Sequence, residues 1–195
     1  MVGWGLILSG GTAIQIKFQK FIYDIFGTSL YISPPIRGQI NWISTRIPPA
    51  FLNREIDDLG CGDGRITKVM GQIFKAKKLR GFDIYPSLVK RAYRNGVEAC
   101  VMDLEAGMPR GELAVMWGVL HHLKDRVSCI KRISENYPMV FIREPIKTIS
   151  LKVFEMGDPI EKEEIDTLVK KYLPGAQVLY YSFCVFIFYS RNEAK

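Results

Sequence analysis

The chain has 195 residues, 48% of them apolar, and a formal net charge of +7; this suits one domain around a single core, with no internal repeat or low-complexity segment. Its four cysteines, Cys61, Cys100, Cys129 and Cys184, show no metal-type pair spacing and fit reduced cytosolic thiols rather than a disulfide framework. The apolar start, residues 1–11, lacks a basic leader and is too short to cross a bilayer, so the expectation is a cytoplasmic protein with neither a secretion signal nor a membrane span.

Residues 1–50 predict two amphipathic helices ahead of the core. Ile14, Phe18, Phe21, Ile22, Ile25 and Phe26 recur at helical spacing, with Lys17, Gln19, Lys20 and Asp24 mostly opposite, and the pattern ends near Gly27. Ile36, Ile40, Ile43 and Ile47 form a second stripe over 35–47, stopped by Pro48-Pro49. Either both stripes pack on the core, or the first helix, with Tyr31 and Ile32, forms a lid or a partner surface. Its polar face has too few basic residues for a membrane-surface helix.

The core begins with a strand that runs from Arg54 into Asp58, a loop with Gly60, Gly62 and Gly64, and a helix from Ile66 onward. Alternate glycines let backbone turn sharply and approach a bound molecule, while the first amides of the helix face the same crevice. A nicotinamide dinucleotide fingerprint needs a glycine at the next position, where this chain has Arg65. A second strand over 79–84 carries Asp83, about 20 residues past the loop, where a parallel nucleotide-binding sheet places a ribose-binding acid. Otherwise Asp83 caps the helix over 86–94, which Pro86 opens and Asn95-Gly96 closes.

A third strand over 97–104 ends at Asp103-Leu104, and a fourth over 112–117 ends at Trp117, before a turn that holds His121 and His122. A helix over 125–136, a buried strand over 137–142 and a helix over 158–173 follow, the last with its acids early and its lysines late. Residues 176–189 split into two strands near Ser182. Strands alternating with helices predict a doubly wound, mostly parallel α/β sheet with helices on both faces.

The pattern Asp58-x-Gly60-x-Gly62-x-Gly64, the acids of the next two strands and the histidine turn together resemble the class I, Rossmann-like S-adenosylmethionine-dependent methyltransferases of small single-domain type, over roughly 55–189. The resemblance implies a seven-stranded sheet with an antiparallel last strand and a single domain over 1–195. Within it, residues 1–50 are a helical cap and 51–195 the core that binds S-adenosyl-L-methionine. Asp58, Gly60, Cys61, Gly62, Asp63 and Gly64 then form the donor loop, and Asp58 or Asp63 either orients it or reaches the donor's amino group. Asp83 and Ile84 meet the ribose, Asp103 and the Leu104 amide read the adenine, and Trp117 lines the pocket or belongs to the core. No metal ligand is implied.

Methyl transfer from a sulfonium needs alignment and, for some acceptors, removal of a proton. His121 or His122 is either that general base or a ring that bonds backbone locally and packs on the sheet. The chain lacks the Asn-Pro-Pro-Tyr or Asp-Pro-Pro-Tyr motif and a paired-cysteine arrangement, which disfavours adenine N6, glutamine amide and cytosine C5 as acceptors. The expected acceptor is a small molecule. The alternatives are an RNA or protein acceptor on the basic stretch of Lys75, Lys77, Lys78, Arg80, Lys90, Arg91 and Arg94, and a partner or regulatory module that binds the donor without transfer. The same stretch also reads as solvated charge, and Arg143-Glu144-Pro145 as either an acceptor contact or a surface ion pair and turn.

Overall fold

A computed structural model describes residues 34–147 and 159–191. The helical pattern over 14–26, Tyr31, Ile32 and Asp158 lie outside the described residues. In chain order the elements are α1 (Pro34–Ser44), β1 (Glu55–Leu59), α2 (Arg65–Ile73), β2 (Lys78–Asp83), α3 (Pro86–Arg94), β3 (Glu98–Val101), β4 (Leu113–Trp117), α4 (Arg126–Asn136), β5 (Met139–Pro145), α5 (Lys162–Tyr172), β6 (Gln177–Tyr181) and β7 (Cys184–Ser190).

One sheet orders the strands β3-β2-β1-β4-β5-β7-β6, and β7 alone runs against the other six. β4 and β5 are buried along their whole length because helices cover both faces, which explains their near-continuous apolar runs. On one face Ile56, Val115, Phe141 and Phe186 meet Ile36 and Ile43 of α1 and Met70 of α2. On the other, Met116, Val140, Ile142 and Ile187 meet Ile130 and Ile133 of α4 and Ile165 of α5. Burying each such side chain contributes about 1.5–3 kcal/mol. After β1 the chain adds β2 and β3 on one side and then crosses back to β4, so the carboxyl ends of β1 and β4 flank a topological switch point.

Several boundaries differ from the sequence expectation, each for a local reason. Helix α1 stops at Ser44 and leaves Ile47 outside, because Ser44, Thr45 and Arg46 turn their side chains back onto the carbonyls of Asn41 and Trp42. β3 ends at Val101, since Asp103 starts a turn in which its side chain accepts the Glu105 amide and its carbonyl the amides of Ala106 and Gly107. Helix α5 starts at Lys162, after Ile160 has bridged to Ile146. β5 runs on to Pro145 because β7 pairs with it as far as Cys184. The β6–β7 division near Ser182 is a two-residue hairpin with Ser182 and Phe183 both at positive φ.

Arg80 pairs in a fork with Asp57 (both contacts 2.7 Å), and the Tyr137 hydroxyl donates to the same carboxylate at 2.8 Å, linking β1, β2 and the entry to β5. Among the described residues no helix is long and apolar enough to cross a membrane.

Candidate functional site

A cavity of about 390 Å³ opens at the carboxyl ends of β1, β2 and β4, within the range of small-ligand sites. The glycine loop forms its floor, with Gly60, Gly62 and Gly64 all at positive φ. A Cβ on Gly60 would stand 2.4 Å from Val119 Cγ2, so this loop and the turn after β4 are packed backbone against side chain. Asp83 closes the other side of the loop: its Oδ2 accepts the Gly62 amide and its Oδ1 the Tyr85 amide, each at 2.9 Å. It therefore holds the loop, starts α3 and stands on the cavity wall at once, with burial raising its pKa against those bonds. Ile84, Leu88, Met102 and Leu104 supply apolar wall beside Asp103.

Asp58 is the least satisfied group of the site. It is buried on the cavity wall and its Oδ1 has no hydrogen-bond partner. Burial, opposed by a hydrogen bond from Thr67 and reinforced by the charge of Asp83, pushes its pKa up to about 7. A cation placed beside it would restore the carboxylate, so the residue fits a ligand with an ammonium group. The Trp117 Nε1 is likewise buried without a partner, on a side chain that lines the cavity. Both orphaned groups suit a polar ligand.

The turn after β4 is held from β5. Glu144, fully buried, accepts the amides of Val119 (2.6 Å) and Leu120 (2.8 Å) with Oε1 and faces His121 Nδ1 at 2.8 Å with Oε2. The rings of His121 and His122 lie 3.9 Å apart, and it is His122 that reaches the cavity wall. Burial above all, and then the positive charges of His121 and Arg126, hold His122 well below the usual histidine pKa. An unprotonated imidazole therefore faces the cavity at neutral pH. Arg143, beside Glu144, donates to Gln39 Oε1 at 3.0 and 2.8 Å and lies 5.3 Å from the Trp117 ring. Of the two readings of Arg143-Glu144-Pro145, an acceptor contact or a surface ion pair and turn, the second is replaced by a buried strand end, because the ladder to β7 continues past these residues, and Arg143 and Glu144 do not line the cavity.

Of the residues singled out in the sequence, Asp58, Gly60, Cys61, Gly62, Asp83, Ile84, Asp103, Leu104, Trp117 and His122 line the cavity. Asp63, Gly64 and His121 do not. The Asp63 carboxylate turns to Arg65 and its carbonyl accepts the Asn95 side chain, while a Cβ on Gly64 would stand 3.1 Å from Ala92 Cα. Those two residues pack the loop onto α3. Cys61 wedges beneath Gly81, and burial pushes its thiol pKa up, so it is no nucleophile. Sequence reading missed Tyr85, Leu88, Met102, Glu105 and Lys124 of the wall, which follow the predicted strand ends by a few residues; it named Glu144 with Arg143 and Pro145 but not as the acceptor that holds the turn after β4. Arg80 and Lys78 of the basic stretch meet Asp57 and Glu98. Among the described residues no His, Cys, Asp and Glu cluster of metal-binding kind occurs.

Residues 58–135 match the family model of a methyltransferase domain. No curated protein matches the chain in sequence. Three solved structures illustrate the structural likeness. Magnesium protoporphyrin IX methyltransferase of Synechocystis PCC 6803, with bound SAH, has a TM-score of 0.62 and 12% identity, with 96% of this chain and 90% of that one covered. The DhpI–SAH complex has a TM-score of 0.67 and 14% identity, with 93% and 97% covered. NcsB1, an O-methyltransferase from neocarzinostatin biosynthesis in complex with SAH and 1,4-dihydroxy-2-naphthoic acid, has a TM-score of 0.61 and 15% identity, with 77% and 52% covered.

Proposed function

We propose that the chain is a class I S-adenosylmethionine-dependent methyltransferase that methylates a small-molecule acceptor in the cytoplasm, a reading supported by the methyltransferase-domain match over residues 58–135 and by the fold. The observation that carries the reading is the buried Asp58 carboxyl with an unpartnered oxygen in a 390 Å³ cavity at the switch point of the sheet. The donor, when bound, supplies a methyl group on a sulfonium that already carries the activating charge. Asp58 would neutralise the donor's ammonium, and the Gly60 and Gly62 backbone leaves room for it to come close. The second lone pairs of the Asp83 oxygens would take the ribose hydroxyls, since the first ones hold the Gly62 and Tyr85 amides. Asp103 and the Leu104 amide would read the adenine, with Ile84 and Leu88 as apolar wall and Trp117 beside the methyl group.

His122 is the residue that would take a proton from the acceptor, since its ring lines the cavity and is unprotonated near neutral pH. His121 is turned away to Glu144. The small-molecule acceptor draws support from NcsB1, an O-methyltransferase whose structure holds the small molecule 1,4-dihydroxy-2-naphthoic acid as well as SAH.

The test is transfer of isotope-labelled methyl from S-adenosylmethionine into a cell extract separated into small-molecule, RNA and protein fractions, with Asp83→Ala as control. Variant-sensitive label in the small-molecule fraction is expected. Label in RNA or protein overturns the acceptor class. Donor binding with no label in any fraction overturns transfer and leaves a partner or regulatory module.

A further inference from the structure

Arg143 is a buried cation without a counter-charge. It is 5% exposed, and among the described residues no carboxylate lies within ion-pairing distance of it. Glu144, next along the strand, points to the opposite face and gives its oxygens to Val119, Leu120 and His121. The company of the guanidinium is neutral: Nε and Nη2 both donate to Gln39 Oε1, and the Trp117 ring lies 5.3 Å away. Gln39 is buried too, and its Nε2 donates to the Ser182 carbonyl at 3.4 Å, which keeps Oε1 on the arginine. Arginine is almost never buried unless paired, because taking a charge out of water costs more than neutral partners offset. A guanidinium held in one plane and left without an acid is therefore prepared for an anion that the chain does not supply.

Its place says which anion. Ile56, Val115 and Phe141 face α1 and α2, and side chains alternate along a strand, so Asp58, Trp117 and Arg143 emerge on that same face two residues later, at the carboxyl ends of three adjacent strands. The row sets a carboxyl, an indole Nε1 without a partner and a guanidinium in sequence across the sheet. Arg143 does not line the cavity, but Gly118 does, and a Cβ on Gly118 would stand 3.3 Å from Arg143 Nη1. Since Gly118 has no side chain, a ligand oxygen at that place comes within reach of the guanidinium. The other charges on the described walls do not serve this end: Asp58, Asp83, Asp103 and Glu105 are acids, and Lys124 stands beside Glu105, which accepts its amide at 2.7 Å.

We propose that Arg143, steadied by Gln39 and joined by Trp117 Nε1, forms a carboxylate subsite at the β4–β5 end of the cavity. The inference deepens the donor reading and rests on it. The carboxylate has two sources, the donor's own, beside the ammonium given to Asp58, and one carried by the acceptor. Either suits a guanidinium, whose planar fork matches two oxygens, with Nη1 the nitrogen that Gln39 leaves over.

The test uses the whole protein and calorimetry with two probes, S-adenosylhomocysteine and its decarboxylated analogue, in wild type, Arg143→Gln and Arg143→Lys. Arg143→Met, which fills the same space, serves where Arg143→Gln does not fold. The expected result is that wild type prefers S-adenosylhomocysteine by about tenfold to a hundredfold, that Arg143→Gln binds both alike, and that Arg143→Lys recovers part of the preference. Lysine cannot make the fork to Gln39, so a residue that only ties β5 to α1 would not be rescued by it. A preference that survives in Arg143→Gln, with benzoate but not benzamide binding the S-adenosylhomocysteine complex of wild type and not that of the variant, assigns the subsite to the acceptor's carboxylate. If Arg143→Gln changes neither the preference nor benzoate binding, the proposal is overturned while the donor reading stands. Wild type that fails to bind S-adenosylhomocysteine at all overturns the donor reading, and the subsite with it.

Discussion

The two walls of the cavity are built differently. On the donor-loop side, Gly62, Asp83 and Tyr85 hold one another through backbone bonds, and Asp103 closes its own turn two residues on. On the histidine side, the turn at Val119 and Leu120 is fastened by Glu144, 24 to 25 positions away on a neighbouring strand. One wall is made by short motifs that carry their own geometry, and the other by a buried charge supplied from the core. Each wall should therefore break in its own way. A change in the loop should cost ligand affinity first, and a change behind the histidines should cost the fold first.

Glu144→Ala should cost the most. It leaves two amides and an imidazole without their acceptor in a site that water does not reach, and each lost bond in such a place costs about 1–3 kcal/mol. A loss of about 4 kcal/mol in denaturant unfolding is expected. If the variant loses less than a kilocalorie, the histidine wall does not depend on the carboxylate and the contrast between the walls fails. Gly60→Ala comes next, because Gly60 is where the walls touch. Its positive φ costs a side chain about 1–2 kcal/mol, and the 2.4 Å approach to Val119 adds overpacking, so about 3 kcal/mol of destabilisation is expected by the same measurement.

That contrast also explains what the sequence made legible. The sheet, its antiparallel β7, the hairpin at Ser182 and most of the loop-side wall follow from periodicity and from motifs whose residues lie within a few positions of one another. Glu144 did not, since an acid at the end of an apolar strand looks the same whether it faces water or three buried donors. Asp63 and Gly64 share the motif's spacing with Gly60 and Gly62 but face α3, because the chain there leaves the cavity floor to enter α2 and packs against Ala92 and Asn95. Spacing identifies the loop; only packing says which of its residues face the ligand. His121 and His122 show the same limit, adjacent in sequence and divided between core and cavity.

Asp83→Ala should act on the loop side alone. Removing an acceptor of two ribose hydroxyls is expected to weaken donor binding by about 2 kcal/mol in calorimetry, as charge-assisted hydrogen bonds do. The bonds from Gly62 and Tyr85 go with it. An affinity equal to wild type would remove Asp83 from the ribose and return it to the role of a loop and helix cap. Glu144→Gln and His121→Gln should leave that affinity nearly unchanged, so the two sets of variants together measure how separate the walls are.

A milder effect, of pH, divides the loop side itself. The Asp58 carboxyl titrates near 7 in the folded chain, against 3.8 ordinarily, because burial disfavours its charge. A raised pKa means that the folded state binds the proton more tightly, so this residue's contribution to stability is complete below about 4 and is lost as pH rises through about 7. The donor's ammonium has the opposite preference, since it is bound by the carboxylate. Binding of S-adenosylhomocysteine should therefore strengthen by about fivefold between about pH 6 and pH 7 and level off above that. Asp58→Asn should bind more weakly at neutral pH, show no such slope, and hold its stability where wild type loses some. An equal slope in wild type and variant would mean that another group carries the proton, and Asp58 would then be a buried carboxyl of the fold rather than the donor's counter-charge.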